Sequence, residues 1–468
     1  MTRGSVNELV AHRLDESLED PLTRPEALRE ANRCLFCYDA PCTKACPTHI
    51  DIPSFIQKIA TDNLLGSARV IMDANPVGAS CARVCPTEDL CEGACVLGRD
   101  ESPIRIGDLQ RYATDWAKDC DVTLFQAGPS TGKSVAVVGS GPAGLAAARD
   151  LRRHGHAVTI FEAKAQLGGL DTYGIVPFRL PAEASLWEAE QVTRMGVDVR
   201  TNTAVGVDIS VDELFDDFDA VIVACGMGYV PPLNIPGENQ DGVWDAIDFI
   251  ERAKTGDVLP TVGRRVAVIG AGNTAIDAAT CSRRLGADEV MICYRRTERE
   301  MTAYPFEYDF AKLEGVSFHW RCAPVRVVGE AGRVVGLELV ETELRMDESG
   351  RVTPVAVQGS EFVVPVDTVI RAIGQERRTA LLDSFGIEHR GGVASVQDGM
   401  CTNLPNVFVA GDCTFAKGGR EAMVVEAAEQ GKSAAASAHA FLTSRATGRT
   451  AATDLGLDEA GAQGEGGM

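Results

Sequence analysis

A chain of 468 residues with 45% hydrophobic and 24% charged side chains is long enough for roughly three domains and apolar enough to give each a core. Its formal net charge of −22 excludes nucleic acid and anionic membrane as partners, because both would repel it. No apolar run reaches the ~18 residues that cross a bilayer, and the start Met1-Thr2-Arg3-Gly4-Ser5 lacks the apolar core of a signal peptide, so the sequence reads as cytoplasmic.

Residues 1–33 carry mixed charge at helical spacing and end in Glu26-Ala27-Leu28-Arg29-Glu30-Ala31, which predicts a helix delivering Cys34. Then come Cys34-x2-Cys37-x4-Cys42-x3-Cys46-Pro47 and Cys81-x3-Cys85-Pro86-x5-Cys91-x3-Cys95, eight of the chain's fifteen cysteines. Structural zinc would want Cys-x2-4-Cys pairs set against a second Cys or His pair; only the first pair has the tight x2 spacing, and the single nearby histidine, His49, lies just past a Cys-Pro. Thiolates this dense suit iron–sulfur clusters, and in two-cluster ferredoxins the Cys before Pro reaches to the other cluster. The pattern therefore predicts two [4Fe–4S] clusters with interleaved ligands. Cys34, Cys37 and Cys42 hold one, Cys46 crosses to the second, and if the second run mirrors the first, Cys85 and Cys91 join Cys46 while Cys95 crosses back. One corner remains for Cys81 or Gln110, and chemistry alone favours the thiolate.

Between the runs, Phe55, Ile56 and Ile59, then Leu64, Leu65, Val70 and Ile71, mark two amphipathic helices. Pro103 leads into a helix running to about Lys118. The first domain, 1–125, is thus mainly α-helical. Residues 121–134 form a Gly/Ser/Thr-rich linker whose Gly132-Lys133-Ser134 mimics a P-loop, but a P-loop follows a strand and this segment precedes one.

The strand Val135–Val138 runs into Gly139-Ser140-Gly141-Pro142-Ala143-Gly144, a helix over 145–153, and a strand over 158–161 closed by Glu162. This order sets a pyrophosphate on a helix N-terminus and a carboxylate on a ribose. A second unit runs Arg265–Ile269, Gly270-Ala271-Gly272-Asn273-Thr274-Ala275, a helix through Arg284, and a strand Glu289–Tyr294 that ends in Arg295-Arg296 instead of an acid. Asp219–Gly226 and Asp367–Gly374 read as the strands where the chain crosses between the two units. Asn406–Cys413 is a strand carrying Gly411-Asp412 at its end, a helix follows over Glu421–Ala440, and Gly-, Ala- and acid-rich residues form a disordered tail. The fold class is α/β, two Rossmann-like dinucleotide-binding domains behind a helical iron–sulfur domain. The division is 1–125 for the clusters, 126–236 and 378–445 for the first nucleotide, 237–377 for the second, and 446–468 for the tail.

The order of these motifs over 133–445 resembles the two-dinucleotide-binding-domain flavoprotein reductases. That resemblance implies FAD on the first fingerprint, with Glu162 on its adenosine ribose, Gly168-Gly169 approaching the flavin and Asp412 on the ribitol, and NADPH or NADH on the second. With Cys34 to Pro47, Val84-Cys85-Pro86 and Ile106-Gly107-Asp108-Leu109-Gln110-Arg111 added, the chain resembles the N-terminal half of dihydropyrimidine dehydrogenase and its bacterial electron-input subunit, and is similar to the small subunit of glutamate synthase. Gln110 and the Ala40-Pro41-Cys42 context lean toward the pyrimidine form, where the resemblance implies that a glutamine completes the second cluster.

The expected function is electron input: NAD(P)H is oxidised through FAD and two clusters, and a catalytic partner subunit with its own flavin takes the electrons in a hetero-oligomer. No acid/base residue is nominated, because orientation of nicotinamide against flavin does most of the work. A dithiol reductase would place a Cys pair just after Gly168-Gly169 or as Cys-x2-Cys in the second unit; here Leu170-Asp171-Thr172-Tyr173 follows, and the remaining cysteines read as buried thiols. A non-catalytic cluster-bearing redox protein would carry degraded fingerprints, and both are intact. Arg295 and Arg296 suit a 2′-phosphate, so kcat/KM should favour NADPH over NADH by about tenfold or more, ~1.4 kcal/mol. Equal values with the two donors would sink that assignment.

Overall fold

The computed structural model describes residues 14–446 apart from 15, 19, 257, 348, 349, 351 and 416–421. The expected tail beyond Ala446 and the expected helix start at Glu421 lie outside the described residues. The cysteine region folds as the helices Arg24–Ala31, Pro41–Ala45, Ile52–Ala60, Leu64–Ala74, Gly78–Val84 and Ile106–Asp119. Asp51 and Asn63 cap two of them by accepting the amides of Ser54 and Gly66, and proline opens three in the first turn, where its missing N–H costs nothing. Phe55, Ile56, Ile71, Met72 and Leu109 are fully buried in one core. Two short helices, Pro41–Ala45 and Gly78–Val84, were not expected; five and seven residues are too few to display a helical period.

Two five-stranded sheets follow, parallel throughout. The first runs in the order Val407–Val409, Ala220–Val223, Ser134–Val138, Ala157–Phe161, Asp198–Arg200. The second runs Val243–Asp245, Thr368–Arg371, Arg265–Ile269, Glu289–Tyr294, Val316–Trp320. Central strands such as Val135–Val138 and Val266–Ile269 are apolar at every position because both faces are covered, by helices on either side of the first sheet and by helices on one side and antiparallel strands on the other in the second. The chain leaves the first sheet after Ala220–Val223 and returns to it only at Val407–Val409. An antiparallel layer made of Cys322–Glu330, Arg333–Met346, Val352–Ala356 and Phe362–Val364 lies in a stretch the sequence left unassigned.

The last helix, Val424–Ala446, packs along Pro142–Arg153 through small residues, with Ala428, Ala434 and Ala435 fully buried beside Ala146 and Ala147. Gly431 permits this approach: a Cβ there would lie 2.1 Å from the Ala143 carbonyl oxygen. Gly431→Ala should therefore destabilise the protein by ~1–3 kcal/mol through overpacking, seen as a lower urea midpoint. An unchanged midpoint would show that the helices can separate freely.

Candidate functional site

Gly139 takes a φ of +102°, a region open to glycine at little cost, and turns the chain from the first strand into the helix Pro142–Arg153. A Cβ at Gly139 would lie 2.4 Å from the Ala224 oxygen, at Gly144 2.0 Å from the Gly139 oxygen, and at Gly169 2.7 Å from the Gly141 Cα. Strand, helix and the Gly168-Gly169 loop can thus close up behind a cavity of about 380 Å³ lined by Gly139, Gly141, Glu162, Gly169, Gly411, Asp412 and, across it, Asn273. Room, glycine cradle and helix N-terminus together fit the pyrophosphate of a dinucleotide.

Glu162 is held to this loop: one oxygen accepts from the Ser140 amide (3.1 Å) and hydroxyl (2.5 Å), the other from the Lys164 amide (2.8 Å). Gly144, Gly168, Gly270, Gly272 and Ala275 shape the turns without lining the cavity. Gly168 donates to the Ser140 oxygen at 3.1 Å, and a Cβ at Gly270 would lie 2.2 Å from the Ala372 oxygen. The Gly270 amide donates to Cys293 at 3.0 Å, which sets Arg295 and Arg296, one exposed and one half-buried, at the strand end beside the second fingerprint.

Cys34, Cys37, Cys42 and Cys95 line a second, small cavity walled by Ile52, Ile56, Ile104 and Ile106. Burial pushes the Cys42 thiol up to about 11, with Cys34 and Cys95 adding to the rise. Cys46, Cys85 and Cys91 form another set: burial raises the Cys91 thiol, and Cys85 and Cys46 raise it further. A donor set of four thiols in an apolar cavity fits iron–sulfur chemistry. Among the described residues no three His, Cys, Asp or Glu side chains converge closely enough for a single metal ion. Gln110 is buried and its Nε2 donates to the Gly78 oxygen at 2.7 Å, so its carbonyl oxygen is the atom that could ligate. Cys81 is buried against Cys85, and the Asn75 amide donates to its sulfur at 3.1 Å.

Several charged groups at the cavity carried no motif. Arg179 reaches from the first nucleotide fold to Asp277 at 2.8 Å and Glu307 at 2.6 Å in the second, all three nearly buried. Burial pushes the Glu307 carboxyl up to about 7 against the opposing Arg179 charge. Asp412 is pushed up to about 6 by burial, with Arg377 opposing. Half-buried Lys254 donates its Nζ to the main-chain oxygen of Asp171, whose carboxyl is buried. The one sequence signal was Tyr173-Gly174-Ile175-Val176-Pro177-Phe178-Arg179, a lone charge in an apolar loop. Cys85 and Pro86 line the same large cavity as the first fingerprint, a contact between segments more than fifty residues apart that spacing cannot reveal.

Residues 11–122 match the dihydropyrimidine dehydrogenase domain II, 4Fe–4S cluster family, and residues 133–431 the pyridine nucleotide-disulphide oxidoreductase family. The NADP(+)-dependent formate dehydrogenase subunit beta of Moorella thermoacetica is 36% identical over 442 residues, 89% of this chain and 62% of that protein, so the chain spans under two thirds of that relative. The NAD-dependent dihydropyrimidine dehydrogenase subunit PreT of Escherichia coli K12 is 35% identical over 92% of this chain and 97% of its own. The glutamate synthase [NADPH] small chain of the same organism is 34% identical over 89% and 91%. Mycobacterium tuberculosis FprA in complex with NADPH shares the fold, with a TM-score of 0.56 at 21% identity over 69% of this chain and 86% of that one.

Replacing Cys81 with Ser should leave the iron content and the EPR spectrum of the reduced protein nearly unchanged, whereas Gln110→Leu should alter the spectrum or potential of one cluster only. Iron loss in the Cys81 variant would transfer the ligand role to that thiol.

Proposed function

The chain belongs to the pyridine nucleotide-disulphide oxidoreductase family, with a dihydropyrimidine dehydrogenase 4Fe–4S domain ahead of it, and from that premise we propose that it is the electron-input subunit of a dihydropyrimidine dehydrogenase-type enzyme. It is an FAD-dependent NAD(P)H oxidoreductase that carries iron–sulfur. Bound FAD would supply a hydride acceptor for NAD(P)H, and two [4Fe–4S] clusters would supply single-electron transfer toward a partner subunit.

In this reading the amides of the Gly139–Gly144 turn hold the FAD pyrophosphate, Glu162 the adenosine ribose and Asp412 the ribitol, while Gly168 and Gly169 keep side chains out of the flavin's way. The turn Gly270–Gly272 with Asn273 and Ala275 holds the nicotinamide nucleotide, and Arg295 and Arg296 meet its 2′-phosphate. Cys34, Cys37, Cys42 and Cys95 ligate one cluster, and Cys46, Cys85, Cys91 and Gln110 the other.

The observation that carries the reading is Cys85 on the wall of the cavity that the first fingerprint lines, which supports a cluster ligated there lying beside the flavin. The partner is supported by the other end of the cysteine domain. Leu35 is 58% exposed, Tyr38 is fully exposed, and Phe36 and Val96 are exposed beside them, all adjacent in sequence to Cys34, Cys37 or Cys95. Large apolar side chains clustered in water mark a protein contact, and here Leu35 and Val96 line the cavity of the cluster that this reading puts farther along the chain of electron carriers. The relatives PreT, the formate dehydrogenase beta subunit and the glutamate synthase small chain are themselves named as subunits or chains of larger enzymes.

The purified holoprotein should reduce ferricyanide with NAD(P)H and turn over neither pyrimidines nor glutamine with 2-oxoglutarate when alone. Tyr38→Asp should slow electron delivery to the co-purified partner by ~10-fold or more, as loss of a buried aromatic anchor does, with ferricyanide reduction unchanged. Conversion of an organic substrate by the isolated chain would refute the subunit reading.

A further inference from the structure

One side chain on the cavity wall has no part in binding as described. Asp171 lies two residues after Gly169, is 2% exposed and lines the cavity, and both its carboxyl oxygens are buried without a hydrogen-bond partner. A bare buried carboxylate is costly unless it is paired or neutral. The groups facing it come from every neighbouring element. Lys254, on the helix Ala246–Thr255, donates its Nζ to the Asp171 main-chain oxygen at 2.6 Å. Asp412 faces it from the Gly411 turn, Ser80 from the cysteine domain and Glu188 from the helix Ala182–Thr193. Behind Lys254 stand Asp277, Glu183 and Arg179. The Ser80 hydroxyl donates to Glu188 at 2.5 Å; beside Asp171 its oxygen is an acceptor for the neutral acid, while its proton, turned the other way, favours the carboxylate. Burial pushes the Asp171 carboxyl up to about 7, with Lys254 and Ser80 opposing, and burial brings the Lys254 ammonium down to about 7.

The other carboxyls of the cavity are engaged. Glu162 accepts three hydrogen bonds, Asp277 and Glu307 pair with Arg179, and Asp412 has the charge of Arg377 beside it.

The electron-input reading, on which this step rests, creates a need for such a group. A hydride is two electrons and one proton. Iron–sulfur carries the electrons away singly, and the proton stays in the cavity. We infer that Asp171 accepts that proton on a carboxyl oxygen, holds it as the neutral acid turned toward Ser80 Oγ, and yields it to water when the oxidised nicotinamide leaves. One proton is then released for each NAD(P)H and each pair of electrons delivered, and no further oxidant is needed.

The test uses holoprotein: wild type, Asp171→Asn and Lys254→Met, each checked for flavin and iron by absorbance. Stopped-flow cluster reduction by NAD(P)H should show a transition near pH 7 in wild type. In Asp171→Asn the rate should be independent of pH across that window and lower by ~10-fold or more, the low side of what proton transfer contributes. Lys254→Met removes the charge that lowers the Asp171 carboxyl, so its transition should move to higher pH. Independently of turnover, the reduced-minus-oxidised infrared spectrum should contain a protonated-carboxyl band that Asp171→Asn lacks. The same band and pH profile in Asp171→Asn overturn the inference alone, and should that variant lose flavin, an unmoved transition in Lys254→Met overturns it instead. Wild-type clusters that stay oxidised while the flavin is reduced overturn both this inference and the electron-input reading.

Discussion

The arrangement of the molecule depends on how the first nucleotide fold grips two helices of the cysteine domain, one at each kind of end. Glu188 is fully buried and accepts the amides of Ala79 and Ser80 at 2.6 and 2.9 Å and the Ser80 hydroxyl, in the first turn of Gly78–Val84. Arg149, also fully buried, donates to the Asp73 and Met72 oxygens at 2.8 and 3.3 Å, at the end of Leu64–Ala74. A carboxyl meets the donor end of one helix as an acceptor and a guanidinium the acceptor end of the other as a donor, so each group satisfies the backbone it desolvates. These contacts fix the helix that leads into Cys85, and with it the place where the cysteine domain enters the cavity wall.

Burial of this kind has a cost, and the structure meets it in two ways. Arg179 is placed between Asp277 and Glu307, which joins the two nucleotide folds through one cation and two acids. Elsewhere the acid is driven toward its neutral form: burial pushes Glu188 up to about 8. Desolvation disfavours the charged form of an acid, and a neutral carboxyl can still serve helix amides as an acceptor. Both acids have folded values above the unfolded ones, Asp171 near 7 and Glu188 near 8. The stability held in their neutral forms is therefore complete at low pH and is lost as pH rises from the ordinary carboxylate range through those values.

The cysteine domain shows how far spacing alone can go. Cys34, Cys37 and Cys42 belong together because short turns leave them no alternative. Cys95 joins their cavity from 53 positions farther on than Cys42, an arrangement that mirroring of the two cysteine runs anticipates but only packing can produce. The short helices that carry Cys42 and lead into Cys85 were not legible in the sequence because five to seven residues show no clear period.

The sequence by itself determined what is local. Strand Val135–Val138, the glycine turn and the following helix appear within a few residues of their expected bounds, because a turn with φ above zero and a buried strand each depend on adjacent residues. The same holds for Arg265–Ile269 and the turn at Gly270. Tertiary structure decided what lies between distant segments. Asp171 and Lys254 are 83 residues apart, and nothing in Leu170-Asp171-Thr172-Tyr173 distinguishes a buried acid from a solvated loop. Glu188 reads as one acid among several on an exposed helix until Gly78–Val84 is laid against it. The exposure of Leu35, Phe36 and Tyr38 was equally invisible, since apolar residues beside a cysteine suit a core as well as a surface. Motifs record which backbone shapes are allowed; burial, which sets charge state and contact, belongs to the assembled fold.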